Sequence, residues 1–295
     1  PSEYFISTLL FSAGLNAGDV KMKYTTTAFE AAAAFVADRS IDAVVSWAPD
    51  IYNIPKRLPK TRILSTTAEA NKVIADVYAF RADFYRDHPD IAKGFVAGVF
   101  EGMDYAKKYT EQVAQWMADA YGMKQEDIKG MMADAHSTNF GENVQYFLNQ
   151  SNPTNFERTW KNASLVYREL GRIDAPVEFD RVMDFSIIKD LQTKGTFAYQ
   201  KDESQTSFTP QSYEKVSAEA PILTQTIRIN FFPNSANLRE QARDENGVVI
   251  KDKLFDPGVE ATLERVARVV GQFEKCVIII EGHTDNSMKG RVPYN

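Results

Sequence analysis

The sequence predicts an α/β protein made of two modules joined by a polar linker. Over the first sixty residues, short apolar segments alternate with helical ones, a pattern typical of a parallel sheet covered by helices. Residues 199–210 are rich in Ser, Thr, Gln and charged side chains and hold few aliphatic ones, as linkers do. A second strand–helix–strand unit follows, and 295 residues are enough for two domains.

The first module, residues 1–192, divides into strands and helices by the spacing of its apolar residues. Helices are predicted at residues 2–13, which stop at Gly14, and at residues 28–37 and 89–108. Residues 108–191 are predicted to be mainly helical. The predicted strands are short apolar or alternating segments: residues 20–24, 42–47, 62–64 and 74–80.

The linker is placed at residues 193–221 and the second module at residues 222–295. In that module Ile227, Ile229 and Phe231 alternate as a strand, and residues 259–273 have the spacing of an amphipathic helix. A buried strand is predicted at residues 277–281. Between the first strand and the helix, Asn246-Gly247 is a strong turn signal and predicts a small hairpin within residues 239–253.

The composition argues against several classes of function. A net charge of -6 and a pI near 5.3 argue against nucleic-acid binding, which normally uses a basic face. One cysteine (Cys276) and three scattered histidines have no zinc-ligand spacing, and neither a glycine-rich phosphate loop nor a nucleophile elbow is present. We therefore expect no metal, no cofactor and no enzymatic activity. No apolar run reaches the length of a membrane span.

The second module carries two motifs in a fairly specific order. The first strand ends in Phe-Phe-Pro-Asn-Ser-Ala-Asn-Leu (residues 231–238), and the last runs into Gly-His-Thr-Asp (residues 282–285). This arrangement resembles OmpA-like domains. The resemblance implies non-covalent binding to the diaminopimelate-bearing stem peptide of peptidoglycan. It assigns Asp285 to the ligand's ammonium group, and Asn237 and Asn295 to polar contacts.

Two features qualify that resemblance. The arginine that receives the ligand's carboxylate in this family belongs to a helix that should follow Asn295. We therefore expect the chain as given to bind peptidoglycan weakly or not at all, and the intact protein to bind it. Asp285 also has a purely structural interpretation, in which it caps the next helix. His283 is interpreted as a structural residue of the turn.

The first module resembles type II periplasmic solute-binding proteins, in particular those for nitrate, sulfonate, taurine and thiamine precursors. The resemblance is carried, in the family's order, by Asp-Ala-Val-Val-Ser-Trp-Ala-Pro at residues 42–49 and by residues 77–90 and 160–191. It implies a partial module of that fold, because in the family most of the first lobe precedes the matching region. It also implies a ligand cleft between lobes that close by a hinge.

Five residues are candidates for the solute site, and all but Asp50 have a structural alternative. Ser2 would begin a helix whose N–H groups face the cleft, or simply cap it. Trp47 and Asp50 lie at the crossover between lobes, where Trp47 would stack on the ligand or pack in the hinge and Asp50 would bind an amine. Asp76 would face the cleft or form a salt bridge, and Asn139 would close over the ligand or cap a helix.

Together these features predict a non-enzymatic, cell-wall-anchored periplasmic protein that captures a small solute. The solute would be delivered to an ABC permease or sensed. The alternative is a structural one, in which the first module has lost ligand binding and serves as a protein-interaction platform on the wall. An enzyme acting on a thiamine-precursor-like substrate would need a reactive cysteine or a histidine cluster in the cleft, and the sole cysteine, Cys276, lies in the other module.

Overall fold

The computed structural model describes residues 1–203, 223–233, 235–273 and 276–281. Within these ranges the protein is mostly helical, with about half of its residues in helices, and it contains one small two-stranded sheet. The helices are α1 (Ser2–Ser12), α2 (Ala28–Ala37), α3 (Asp50–Arg57), α4 (Ala82–Asp87), α5 (Pro89–Lys108), α6 (Thr110–Tyr121), α7 (Gln125–Asp134), α8 (Phe140–Leu148), α9 (Phe156–Glu169), α10 (Ser186–Lys194) and α11 (Val259–Gln272).

The helices begin and end where local chemistry favours it. Helix α2 begins at a capping box, in which the Thr27 hydroxyl accepts from the backbone N–H of Glu30 and the Glu30 carboxylate accepts from the Thr27 N–H. Helix α5 begins with Pro89, whose fixed φ suits the first turn. Helix α6 ends at Gly122 with φ of +64°, a left-handed conformation that glycine adopts without strain. The sequence predicted α1, α2, α5 and α11 to within one residue at each end.

The hairpin predicted from Asn246-Gly247 is confirmed. Strands β1 (Gln241–Arg243) and β2 (Val249–Leu254) pair in antiparallel fashion, and Gly247 occupies the turn with φ of +79°. One residue of β1 lies between its paired positions while four residues of β2 lie between theirs, from Gln241↔Leu254 to Arg243↔Val249, so β2 bulges. Asp252 lies in that bulge with φ of +60°, a conformation that aspartate tolerates better than most residues.

The predicted parallel sheet is not formed among the described residues. The six segments expected as strands, residues 20–24, 42–47, 62–64, 74–80, 227–231 and 277–281, are all without strand pairing in the part of the chain that the structure describes. An extended segment is a strand only when a neighbour pairs with its N–H and C=O groups. Apolar alternation predicted the extended conformation of a segment such as Val20 but could not supply that neighbour. The α/β prediction therefore holds only coarsely.

Three apolar clusters hold the helices together. The first joins α1 to α9, to the turn around Ala70 and Val73, and to Phe273 at the end of α11. In the second, Phe100 of α5, Phe140 of α8 and Leu191 of α10 surround Phe197, which is 2% exposed. The third joins α6 to α7 through Ala114, Ala118 and Ile128. The burial of Phe197 shows that residues which the sequence assigned to the linker pack on α5 and α8.

Candidate functional site

The candidate site lies in a broad open groove beside the N-terminal end of α1. Its volume is about 2880 Å³, well above the roughly 300–1,000 Å³ of a small-molecule pocket. Residues from α1 line it, together with the extended segments around Tyr24, Val45, Leu64 and Val77. The groove as a whole is thus too large to enclose one small solute, so specific recognition would have to occur at a narrower part of its wall.

One such part is formed by two of the predicted residues. The indole Nε1–H of Trp47 donates to the Ser2 hydroxyl oxygen over 3.2 Å, although 45 residues separate them in the chain. Both residues line the groove, and Trp47 is 52% exposed, so its ring is not packed away in a hinge. A serine hydroxyl that accepts one hydrogen bond still has its own proton to donate. The pair therefore presents an exposed aromatic face and a hydroxyl donor side by side.

An ionic network adjoins this pair on the first turn of α1. The Glu3 carboxylate accepts from the Arg172 guanidinium at 2.7 and 3.1 Å and from the Tyr24 hydroxyl at 2.7 Å. The Arg172 hydrogen bond holds the pKa of Glu3 below its usual value, and the bond to Glu3 raises the pKa of Tyr24. The Arg172 guanidinium also lies 5.3 Å from the Tyr24 ring centre, which is cation–π distance. Glu3 is thus an ionised carboxylate beside Ser2, and the charge of Arg172 balances its own.

A second ionic contact occupies another stretch of the groove wall. The Lys23 ammonium lies 3.2 Å from the Asp38 carboxylate, and it also donates to the Ser40 hydroxyl at 3.3 Å. Hydrogen bonds from Ser40, with Lys23 nearby, lower the pKa of Asp38 to about 2. This carboxylate therefore stays ionised and paired across the physiological pH range.

The other three predicted solute residues are more scattered. Asp76 lines the groove and is exposed, on the extended segment that precedes α4. Asp50 lies in the first turn of α3 and is absent from the described lining of the groove, although its neighbour Ile51 is part of it. Asn139 caps α8: its side-chain oxygen accepts from the Glu142 N–H at 3.0 Å, and its amide donates to the Lys201 carbonyl at 2.7 Å.

Of the predicted peptidoglycan residues, only Asn237 falls within the described residues, and Asp285 and Asn295 lie outside them. Asn237 belongs to a tight turn after residues 227–231. Its side-chain oxygen accepts from the Arg239 N–H at 3.0 Å, and its amide donates to the Glu240 carboxylate at 3.2 Å. The turn thus uses both polar ends of this side chain.

Reasoning from sequence missed Glu3, Tyr24 and Arg172. Each is a common residue type in an unremarkable local context, and 169 residues separate Glu3 from Arg172. Sequence patterns report residues on one helix or strand, whereas this network requires α1, the segment after it and the turn after α9 to meet. Arg172 falls within residues 160–191, which carry part of the resemblance to solute-binding proteins, and that was the one signal pointing to it.

Among residues 1–203, 223–233, 235–273 and 276–281, no group of His, Cys, Asp and Glu side chains is arranged to hold a metal ion. In the same residues, every helix is too short or too polar to cross a bilayer.

Comparison of the chain with protein-family models, with curated proteins and with solved structures gave no match.

Proposed function

We propose that the first module captures a small solute in the groove and that the second module holds the protein at the cell wall, in the periplasm. The observation that carries the solute proposal is the contact between Trp47 and Ser2 at the first turn of α1. Residues that are distant in sequence there bring together a stacking surface and a hydroxyl donor, next to the unpaired N–H groups of an 11-residue helix. No catalytic step is part of this proposal.

The same geometry indicates the kind of solute. A helix N-terminus and a hydroxyl donor favour an anionic or acceptor-rich group, and an exposed indole favours a flat or apolar one. Glu3 would repel an anion, but its ion pair with Arg172 offsets that charge. Small sulfonates, nitrate, phosphate and pyrimidines therefore form the first panel to test. Delivery of the solute to an ABC permease is the expected use, with sensing as the other.

Wall attachment by the second module is supported by its sequence motifs. The strand ending in residues 231–238 and the Gly-His-Thr-Asp motif at residues 282–285 are the basis of the OmpA-like resemblance. In this proposal Asp285 binds the ammonium group of the peptidoglycan stem peptide, with Asn237 and Asn295 making polar contacts. Anchoring would raise the concentration of the first module near a membrane partner.

Thermal unfolding in the presence of each solute class tests the capture proposal. A ligand at about one hundred times its Kd should stabilise the protein by roughly 2.7 kcal/mol, which is a measurable rise in Tm. Trp47→Phe keeps a ring but removes the donor, and Ser2→Ala removes the hydroxyl. Each should weaken binding by about 5-fold, because a hydrogen bond contributes on the order of 1 kcal/mol.

Trp116→Phe is the matched control, since Trp116 is also 52% exposed and is not part of the described groove lining. It should bind as the parent does. If every class in the panel leaves the parent's Tm unchanged, solute capture is refuted for those classes. Equal losses of binding in Trp47→Phe and Trp116→Phe would refute the site.

A protein-interaction platform is the second candidate. It is favoured by the width of the groove and by large apolar side chains exposed along it: Leu64 is 55% exposed, Val77 53% and Tyr78 70%. Exposed apolar surface of this kind is typical of interaction sites. Failure of every solute to shift Tm, together with retained wall binding, would favour this candidate over solute capture.

A further inference from the structure

Helix α11 carries an apolar stripe whose C-terminal end packs against the first module. Its apolar residues recur at helical spacing: Val259, Leu263, Val266, Val269, Val270 and, just after the helix, Phe273. Phe273 is 6% exposed and belongs to one apolar cluster, whose other members include Tyr4 and Phe5 of α1, Val166 of α9, and Val73. Val269 packs against that cluster. The end of α11 is therefore buried in the same core as α1.

Polar contacts surround this apolar contact. The Arg158 guanidinium of α9 lies 2.6 Å from the Glu264 carboxylate of α11. The backbone N–H of Lys72 donates to the Gln272 carbonyl at 3.5 Å, and Gln272 is itself buried. A hydrogen bond and an ion pair thus fix the angle at which α11 meets α9 and the turn around Val73.

The absence of a side chain at Gly271 permits the close approach of α11. A Cβ built at this position would lie 2.8 Å from Thr154 Cγ2 and 3.5 Å from Pro153 Cγ. Thr154 has little room to move, because it is 7% exposed and its hydroxyl donates to the Asn152 side-chain oxygen at 3.1 Å. A larger residue at position 271 would push α11 away from the loop before α9.

The two segments predicted as strands before and after α11 do not cover its apolar face in the described residues. Phe231, on the first of them, is 49% exposed, and Ile280, on the second, is 88% exposed. An amphipathic helix is stable only when its apolar face is buried. In this protein the C-terminal end of that face, Val269 and Phe273, packs against α1, α9 and the turn around Val73.

We propose that α11 is a docking helix that binds the second module to the first, so that the two move as one body. The docking contact consists of Glu264, Val269, Gly271 and Phe273 against Arg158, Thr154, Val73 and Tyr4. This inference goes beyond solute capture and wall binding and does not depend on either. Because α1 carries both Tyr4 and Ser2, the contact also connects the second module to the wall of the groove.

Cutting the chain between the modules tests the docking contact. A specific protease site inserted within residues 204–222 of the full chain allows cleavage after folding, followed by size-exclusion chromatography. The two pieces should co-elute, because α11 remains bound to α1 and α9. Pieces that elute separately at micromolar concentration would overturn the proposal.

A substitution at residue 271 tests where α11 contacts the first module. Gly271→Trp in the cleavable protein should make the pieces elute separately, whereas Gly102→Trp, at an exposed position of α5 with nothing within 4 Å, should leave them together. Co-elution of the Gly271→Trp pieces would overturn the assignment of the contact. Circular dichroism of the intact variants shows whether each still folds.

The ion pair supplies a test that does not depend on the glycine. Arg158→Glu places two carboxylates together and should raise the Kd between the cleaved pieces by about 2- to 10-fold, and adding Glu264→Arg should restore it. A double variant no tighter than Arg158→Glu alone would overturn the assigned pairing.

In the uncleaved Gly271→Trp protein, hydrogen exchange of the α1 amides should become faster, and unchanged α1 protection would overturn the connection to the groove.

Discussion

At the scale of single residues, the environment decides what a common side chain does. Glu3 and Glu142 are both glutamates near the start of a helix, but their partners differ. Glu3 accepts from Arg172 and Tyr24 across the fold, whereas Glu142 accepts from the Asn139 N–H at 2.8 Å and lies 2.7 Å from His136 Nε2. The first links three parts of the chain at the groove, and the second fixes one helix end.

The ion pair at Glu3 makes stability depend on pH. Arg172 lowers the pKa of Glu3 in the folded protein below its ordinary value of 4.5, so folding favours the ionised form. The stabilisation is fully present above pH 4.5 and is lost as the pH falls through the lowered folded-state pKa. Glu3→Gln should therefore lower Tm at pH 7 and narrow the gap to the parent below pH 4.

Tm measured from pH 3 to pH 8 for the parent and for Glu3→Gln checks this sign. Glu157→Gln is a suitable comparison, because Glu157 pairs with Lys161 on one helix, at a spacing whose contribution is only about 0.3–0.5 kcal/mol. A constant difference in Tm between the parent and Glu3→Gln at every pH would contradict the account of Glu3.

At the scale of secondary-structure elements, helices and the local hairpin were predictable, whereas strands that need distant partners were not. Helix α2 follows from a capping box and an alanine-rich run, and the hairpin follows from Asn246-Gly247, so nearby residues determine both. The segments at residues 42–47 and 74–80 have the apolar pattern of strands, yet their pairing depends on partners elsewhere in the chain. That dependence is why a pattern of apolar residues predicted a parallel sheet that the described residues do not form.

The junction of α8 with residues 200–202 gives a test at this scale. A Cβ at Gly141 would lie 2.6 Å from both the Gln200 carbonyl oxygen and the Asp202 backbone nitrogen. Backbone atoms cannot rotate away, so Gly141→Ala should destabilise the protein by roughly 1–3 kcal/mol through overpacking. The measurement is the free energy of unfolding in urea.

Gly130→Ala is the control for that substitution, because it makes the same change inside α7 with nothing within 4 Å of the new Cβ. Alanine has the higher helix propensity, so this variant should be more stable by up to about 1 kcal/mol. Equal effects of the two substitutions would show that residues 200–202 do not pack against α8 as described.

At the scale of the whole molecule, the sequence indicated two modules, and the structure adds a contact between them. Ser2 and Trp47 are solute-site candidates that follow from the resemblance to solute-binding proteins, and in the structure they contact each other in the groove. The contact of Phe273 with Tyr4 and Phe5 was not predictable, since the spacing within α11 identifies its apolar face but not what covers that face. Long-range contacts of this kind depend on the assembled fold.

The proposed wall binding and the proposed solute capture belong to different modules, so they can be tested separately. If α11 holds the modules together, a protein bound to the wall presents its groove in a fixed orientation. Loss of wall binding would leave the groove and its Ser2–Trp47 contact unchanged. Binding to the cell wall therefore has to be tested through the second module, with a variant that changes one carboxylate.

Sedimentation of the intact protein with purified sacculi tests most directly whether Asp285 binds the peptidoglycan stem peptide. This assignment predicts that the parent pellets with the sacculi, that Asp285→Ala loses at least about 10-fold in affinity because the ligand's ammonium loses its charged partner, and that the neighbouring acid variant Glu281→Gln pellets like the parent. An Asp285→Ala protein that pellets as fully as the parent would contradict it.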